Sequence, residues 1–352
     1  MSPADADGTL ERPTGGPALS IWTDVRPDAG QRDGRRRYAE LLDEVRLADS
    51  LPFRCFCTTE QHGVDDGYLP AQLPLIAGLG TVTSRIRFMT SALLLLFHPW
   101  RNVVEEAIVA DLLSGGRLEL GVAGGGFERE FELFGVDIKH RAKLMEEALP
   151  FVRMGLTQGR LPDGPDDSFL PVLPAPAQPR VPIYLGGLAA PVMDRAARLA
   201  DGVIPYDFMR PDEHFPTLWR ERLQPALRQH GRSLDDFRFI LCTSLWAAED
   251  PERDWEEFYR PALEYQFGKY AEWGSARDSG YATPQTLGHR GNLLVDTPEN
   301  IARRLLAIRS EAPYHEVVFW YRFRGISHER AAAHLELVAN RVAPLLEPPA
   351  AG

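Results

Sequence analysis

Short apolar runs alternate with longer amphipathic stretches along nearly the whole chain. Residues 19–22, 53–58, 85–92, 118–122, 183–185, 202–205, 237–245 and 316–321 are brief and rich in β-branched or aromatic side chains, a pattern that predicts strands. Residues 38–50, 73–82, 102–113, 139–156, 191–200, 211–230, 298–312 and 328–345 carry the wider period of amphipathic helices. Strands that read as apolar throughout are buried on both faces, and strands separated by helices run parallel. About eight strand–helix units result, and no shift in composition divides them. The expected fold is α/β: a single (β/α)8 TIM barrel over residues 19–347, with an open doubly wound sheet as the alternative.

Three stretches break the rhythm. Residues 1–18 are polar and rich in Gly and Pro, and predict a disordered leader. Residues 161–182 are rich in Pro and predict an extended crossing. Residues 247–296 form an insertion between the last two βα units, far longer than a βα loop of roughly two to six residues. This insertion carries Trp255, Phe258, Tyr259, Tyr265, Phe267, Tyr270, Trp273 and Tyr281. In a barrel it would leave from the catalytic face, so it is expected to act as a substrate lid, hinged at Gly268, Gly274, Gly280, Gly288 and Gly291. A helical arm for dimerisation is the alternative.

Composition narrows the class. The hydrophobic fraction of 44% and charged fraction of 25% are those of a globular chain. The net charge of −11 argues against nucleic acid or an anionic membrane as partner, since both require a basic face. Cys55, Cys57 and Cys242 cannot build a disulfide framework, and Cys55 and Cys57 are two apart rather than a C-x-x-C pair. Buried free thiols in a reducing compartment are the plainer reading. The first twenty residues have no apolar core flanked by basic residues, and the longest apolar run, 92–97, is too short to span a bilayer. A cytoplasmic protein without a metal ion is expected.

Four blocks then carry a resemblance. They are Thr59-Glu60-Gln61-His62 after the second predicted strand, and Arg85-Ile86-Arg87 running through Thr90-Ser91-Ala92 to His98-Pro99. The third is LLSGGRLELGVAGGGFEREFELFGV, from Leu112 to Val136, and the fourth is PIYLGG, from Pro182 to Gly187, followed by Ala200-Asp201-Gly202. In this order and spacing the chain resembles the luciferase-like flavin monooxygenases, over residues 41–207 and again over the last fifty or so. The resemblance implies FMN, used in reduced form, at the carboxyl ends of the strands. There it reacts with O2 to give a flavin hydroperoxide that oxygenates an organic substrate. It also implies a separate NAD(P)H:flavin reductase and a homodimer. A deazaflavin-dependent dehydrogenase of the same fold and a non-catalytic flavin-binding relative are the rival readings.

The resemblance assigns roles to individual residues. His62, with Glu60 to orient it, is the expected acid–base pair, since an imidazole titrates near neutrality. The alternative is a structural bond between loop residues. Gln61 stands where the family has its first histidine, which argues against luciferase-like aldehyde chemistry. Thr90, Ser91 and Ala92 are expected to line the isoalloxazine, or simply to fit a crowded rim. Gly186, Gly187, Leu188 and Ala189 lie where a strand gives way to a helix, and backbone N–H groups there can approach a phosphate. An ordinary tight turn is the plainer alternative. Gly124 and Gly125 belong to a second glycine turn. Gly124 replaces a phosphate-binding arginine, and Leu188 and Ala189 replace a serine, so FMN is expected to bind weakly. Trp22, Tyr206, Trp320 and Tyr321 lie near strand ends and are expected to wall a bulky flat substrate, or to pack the core. His98 is expected at the rim, holding a turn.

Overall fold

The strands form where the apolar runs predict them, and they pair into a ring. The computed structural model describes residues 10, 12–28, 34–164, 168–206, 208, 210–274 and 290–347. Its strands are β1 (Ala18–Thr23), β2 (Cys55–Thr58), β3 (Arg87–Leu94), β4 (Leu118–Ala123), β5 (Arg160–Pro162), β6 (Phe169–Pro171), β7 (Ile183–Gly186), β8 (Gly202–Ile204), β9 (Arg238–Ala247), β10 (Leu294–Asp296) and β11 (Glu316–Arg322). The ring runs β1, β2, β3, β4, β7, β8, β9, β11 and back to β1, every pair parallel. The result is a closed barrel of eight parallel strands wrapped by helices, as expected; an open sheet is ruled out. No described helix is long and apolar enough to cross a membrane.

The ring closes at the seam between β8 and β9, held by the pairs Gly202–Arg238 and Val203–Phe239. A Cβ on Gly202 would lie 2.3 Å from the Arg238 carbonyl oxygen, so a side chain there would hold the seam open. The amino-terminal end of the barrel is floored by ions. Glu316, at the start of β11 and fully buried, accepts from Ser20 Oγ at 2.5 Å, Arg54 Nη1 at 2.9 Å and Arg238 Nη2 at 2.8 Å. Arg54 also reaches Glu119, which accepts from Arg87 Nε at 2.5 Å. Burial pushes the Glu316 carboxyl up, but Arg54 and Arg238 outweigh it and hold it below its ordinary range.

Three stretches differ from expectation. Within the Pro-rich crossing, β5 and β6 form a small antiparallel hairpin, with the Arg160 guanidinium 4.6 Å above the Phe169 ring. The helix expected over 211–230 is helical at Pro211–Leu218 and Gln224–Gln229, with a wider π turn at Trp219–Leu223 between them. Pro225 has no N–H to return to the preceding turn, and a π turn takes up the difference. The insertion contributes β10, which pairs Leu294–Asp296 with Leu245–Ala247 of β9. Residues 1–9 and 11 lie outside the described residues. After them, Arg309 donates to the carbonyls of Pro13 and Gly15 at 3.1 and 2.6 Å, fixing the chain just before β1.

Glu316→Ala is expected to lose roughly 3–5 kcal/mol of folding stability, because it leaves Arg54 and Arg238 without their buried counter-ion. Equilibrium denaturant unfolding measures this; a loss under about 1 kcal/mol would show that the floor is not what holds the ring.

Candidate active site

β2 ends at Thr58, and the chain turns across the carboxyl end of the barrel through Thr59-Glu60-Gln61-His62. Glu60 is 3% exposed. Its Oε1 accepts from His62 Nε2 and from His98 Nε2, each at 2.8 Å, and its Oε2 accepts from Gln72 Nε2 at 3.2 Å. The Gln72 carbonyl in turn accepts from Thr58 Oγ1 at 2.9 Å and from the Ser91 N–H at 3.3 Å, tying the ends of β2 and β3 together. Burial alone would raise the Glu60 carboxyl, but the bonds from His62 and His98 hold it below its ordinary range. Burial lowers His98, and the bond and charge of Glu60 more than reverse this, so it is raised. The donor atoms of Glu60, His62 and His98 lie within 4.8 Å of one another, but both imidazoles are already bonded to the carboxylate.

A second carboxyl approaches from the helix Glu128–Phe134. Glu130 is 2% exposed; its Oε1 accepts from the His62 backbone N–H at 2.9 Å, and its Oε2 has no partner among the described residues. Burial pushes Glu130 up to about 7, against the pull of the His62 N–H and charge and with some help from the Glu60 charge. The His62 ring lies edge-on to Phe134 and Phe97, with centroids 4.7 and 6.3 Å away.

Aromatic rings form the mouth. Trp22 packs against Trp320 at 4.3 Å, Phe208 at 5.4 Å and Tyr206 at 5.7 Å between ring centroids. Among the described residues, the indole N–H groups of Trp22 and Trp320 and the hydroxyls of Ser91 and Ser244 are buried without a partner. The insertion lies across this mouth as the helix Arg260–Glu272 rather than as a loop. Tyr259, just before it, packs on Trp246 and Phe323; Phe267 packs on Phe208. Tyr270 Oη meets Tyr68 Oη at 2.9 Å, and Trp273 packs on Tyr68 and Phe127. Residues 275–289, with Gly280, Tyr281 and Gly288, lie outside the described residues.

Two glycine turns flank the mouth. A Cβ on Gly186 would sit 2.7 Å from the Tyr206 ring, and Gly187 has a φ of +142°, so both positions need the bare backbone. They lead into the helix Ala190–Leu199, whose first residue is preceded by Ala189 with no side-chain cap, and Arg222 Nη1 donates to the Leu188 carbonyl at 2.7 Å. At the other turn, after β4, Arg141 Nη1 donates to the Gly125 carbonyl at 3.2 Å, and a Cβ on Gly124 would sit 3.1 Å from Arg141 Cγ. Arg141 reaches this turn from the helix Arg141–Gln158.

Glu60, His62 and His98 come together; His98, expected as a rim residue, is bonded to the same carboxylate oxygen as His62. Trp22, Tyr206 and Trp320 meet at the mouth. Tyr321 does not. It follows Trp320 on β11, so strand alternation turns it outward, where its hydroxyl donates to Glu44 Oε2 at 2.5 Å beside Arg37. Thr90 donates its hydroxyl to the Gly121 carbonyl at 2.7 Å, while Ser91 and Ala92 are buried beside it. Gln72, Glu130, Arg141, Phe208, Arg222 and Gln266 were not singled out in the sequence. Only Glu130 lay inside a recognised block.

A closed ring of eight parallel strands wrapped by helices is a TIM barrel, and its ionisable groups and bare glycine turns gather at the carboxyl ends of the strands. The profile of luciferase-like monooxygenases matches residues 18–315, and the chain belongs to that family. An uncharacterized protein of Mycobacterium tuberculosis is 39% identical over 132 residues, 36% of this chain and 45% of that one. The chain thus spans under half the length of the mycobacterial relatives it matches. Among solved structures, the oxygenating constituent of 3,6-diketocamphane monooxygenase from Pseudomonas putida, in complex with FMN, superimposes with a TM-score of 0.76 at 16% identity. That match covers 94% of this chain and 98% of that one. A coenzyme F420 dependent tetrahydromethanopterin reductase from Methanopyrus kandleri superimposes with a TM-score of 0.70 at 15% identity, covering 94% and 99%. At these identities the likeness is one of fold.

The raised Glu130 has a signed consequence. Its folded value of about 7 lies above the ordinary 4.5, so its contribution to stability is present below the ordinary value and is lost as pH climbs through 7. Glu130→Gln cannot titrate, so its melting temperature should gain on the wild type between about pH 5 and about pH 8. A difference that stays flat across that range removes the assignment.

Proposed function

We propose that the chain is the FMN-using oxygenase component of a two-component monooxygenase, acting on a bulky organic substrate. The observation that carries the reading is the Glu60 carboxylate holding two imidazoles beside an aromatic mouth that contains unpartnered donors. A flavin suits the residues present. Gly186 and Gly187 keep the backbone bare where a phosphate would approach the helix start, and Arg141 and Arg222 bring positive charge to the two turns. Ser91 and Ala92 give a small-residue surface for a planar ring. Reduced FMN, when bound, supplies the electrons by which O2 is activated for transfer of one oxygen atom to the substrate.

The protein's own part is acid–base control and exclusion of water. With Nε2–H donating to Glu60, His62 keeps a lone pair on Nδ1 and can take a proton from substrate or return one to the departing oxygen. Glu60 fixes the tautomer and offsets the positive charge that develops. Glu130, pushed up to about 7, can hold a proton beside His62 at neutral pH. The helix Arg260–Glu272 roofs the mouth and keeps water from the reacting atoms, which favours coupled turnover. A reductase that delivers reduced FMN follows from this reading. Exposed Val109, Leu112 and Leu113 on one helix support a homodimer.

His62→Ala should cut oxygenation by about 100- to 10,000-fold while leaving FMN affinity within about twofold. The assay couples a flavin reductase and NADH to product formation from a panel of polycyclic ketones and phenols, and near-wild-type turnover would make His62 structural. FMN should leave during purification and reduced FMN should bind more tightly than oxidised. Arg141→Ala should weaken FMN about tenfold but not riboflavin, which lacks the phosphate. Titration with F420 in parallel tests the deazaflavin reading, which gains if F420 binds and FMN does not.

A further inference from the structure

Gln266 lies midway along the roofing helix, on the buried face it shares with Leu263, Phe267 and Tyr270. It is fully buried, yet neither its amide nitrogen nor its carbonyl oxygen has a partner among the described residues. The contacts of its neighbours place it. Tyr259 anchors one end of the helix over Trp246 and Phe323 at the ends of β9 and β11, and Tyr270 and Trp273 anchor the other over Tyr68 and Phe127. Between them Phe267 meets Phe208, which packs on both Trp22 and Trp320. The buried face that carries Gln266 is therefore the one turned to the mouth, where the indole N–H groups of Trp22 and Trp320 also lack acceptors among the described residues. An unpartnered amide in an apolar surround is costly, and nothing in the packing of this helix requires one.

We propose that Gln266 reads the ligand: a planar ring that presents a carbonyl next to an N–H, as an imide, lactam or carboxamide does. A glutamine side chain offers a donor and an acceptor in one plane, and that edge answers both. The indole N–H groups of Trp22 and Trp320 lack acceptors among the described residues and would donate to further carbonyl oxygens of the same ligand, while the stacked rings hold its faces. The edge can belong to the isoalloxazine or to the substrate, and the inference rests on the flavin reading above for what the mouth holds.

Gln266→Leu tests it. The ligand-free variant should melt higher than wild type by roughly 2–5 °C, because the unpartnered amide is gone. If the flavin supplies the edge, FMN affinity falls about tenfold. If the substrate supplies it, FMN affinity stays within about twofold, and the probes 2-quinolone and phthalimide bind FMN-loaded wild type but not the variant. A variant that melts at or below wild type, or that retains both FMN and probe affinity, overturns the proposal. Failure of the monooxygenase reading is separate: it is a wild-type chain that takes up no flavin, and the melting comparison decides Gln266 even then.

Discussion

The closure of the ring over Glu316 is the constraint on which the rest depends. A buried carboxylate at the start of β11 is stable only with full compensation, and here that compensation comes from β1, from the residue before β2 and from the start of β9. Those groups are distant in sequence, so satisfying Glu316 means bringing the first, second and last parts of the chain to one point. Arg54 then passes the linkage on to Glu119 and Arg87, and with them to β4 and β3. Once the amino-terminal ends are fixed, the position of every carboxyl-terminal end follows, since each strand is short and parallel to its neighbours. The mouth carries several buried polar groups without a partner among the described residues, at the opposite end of the barrel from this ion cluster.

That division was partly legible in the sequence. The eight ring strands were readable because each is a continuous apolar run bounded by helix-period sequence. β5, β6 and β10 were not, because three residues show no period and two of the three contain proline. Glu60 and His62 could be named because they follow directly on a strand. Gln72, Glu130 and Gln266 could not: each is an ordinary polar residue on a helix, and only tertiary packing makes it buried and aimed at the site. Arg141 and Arg222 were missed for another reason. Each reaches its glycine turn from a helix outside the recognised blocks, Arg141 the carbonyl of Gly125 and Arg222 that of Leu188, and a motif compared position by position does not register such contacts. The assignment of Tyr321 conflicted with a rule available from the outset, since adjacent strand residues face opposite ways and Trp320 already faced the mouth.

Glu60 and Glu316 show what the two ends of the barrel are for. Both are buried carboxylates, and both accept from groups on other elements. Burial penalises each, and in each the partners reverse the penalty. The difference lies in the partners. Arginine does not lose its proton in a protein, so the charge on Glu316 is answered at any pH the fold survives, and the pairing is purely structural. The charge on Glu60 is answered instead by two imidazoles, of which His98 is raised by the bond and charge of Glu60. Glu130 adds a third carboxyl at the same point, balanced near 7 because its main influence is burial rather than a fixed cation. The floor pairs its carboxylates with arginines, and the rim pairs Glu60 with two imidazoles. The same residue type serves both ends, and the partner decides which.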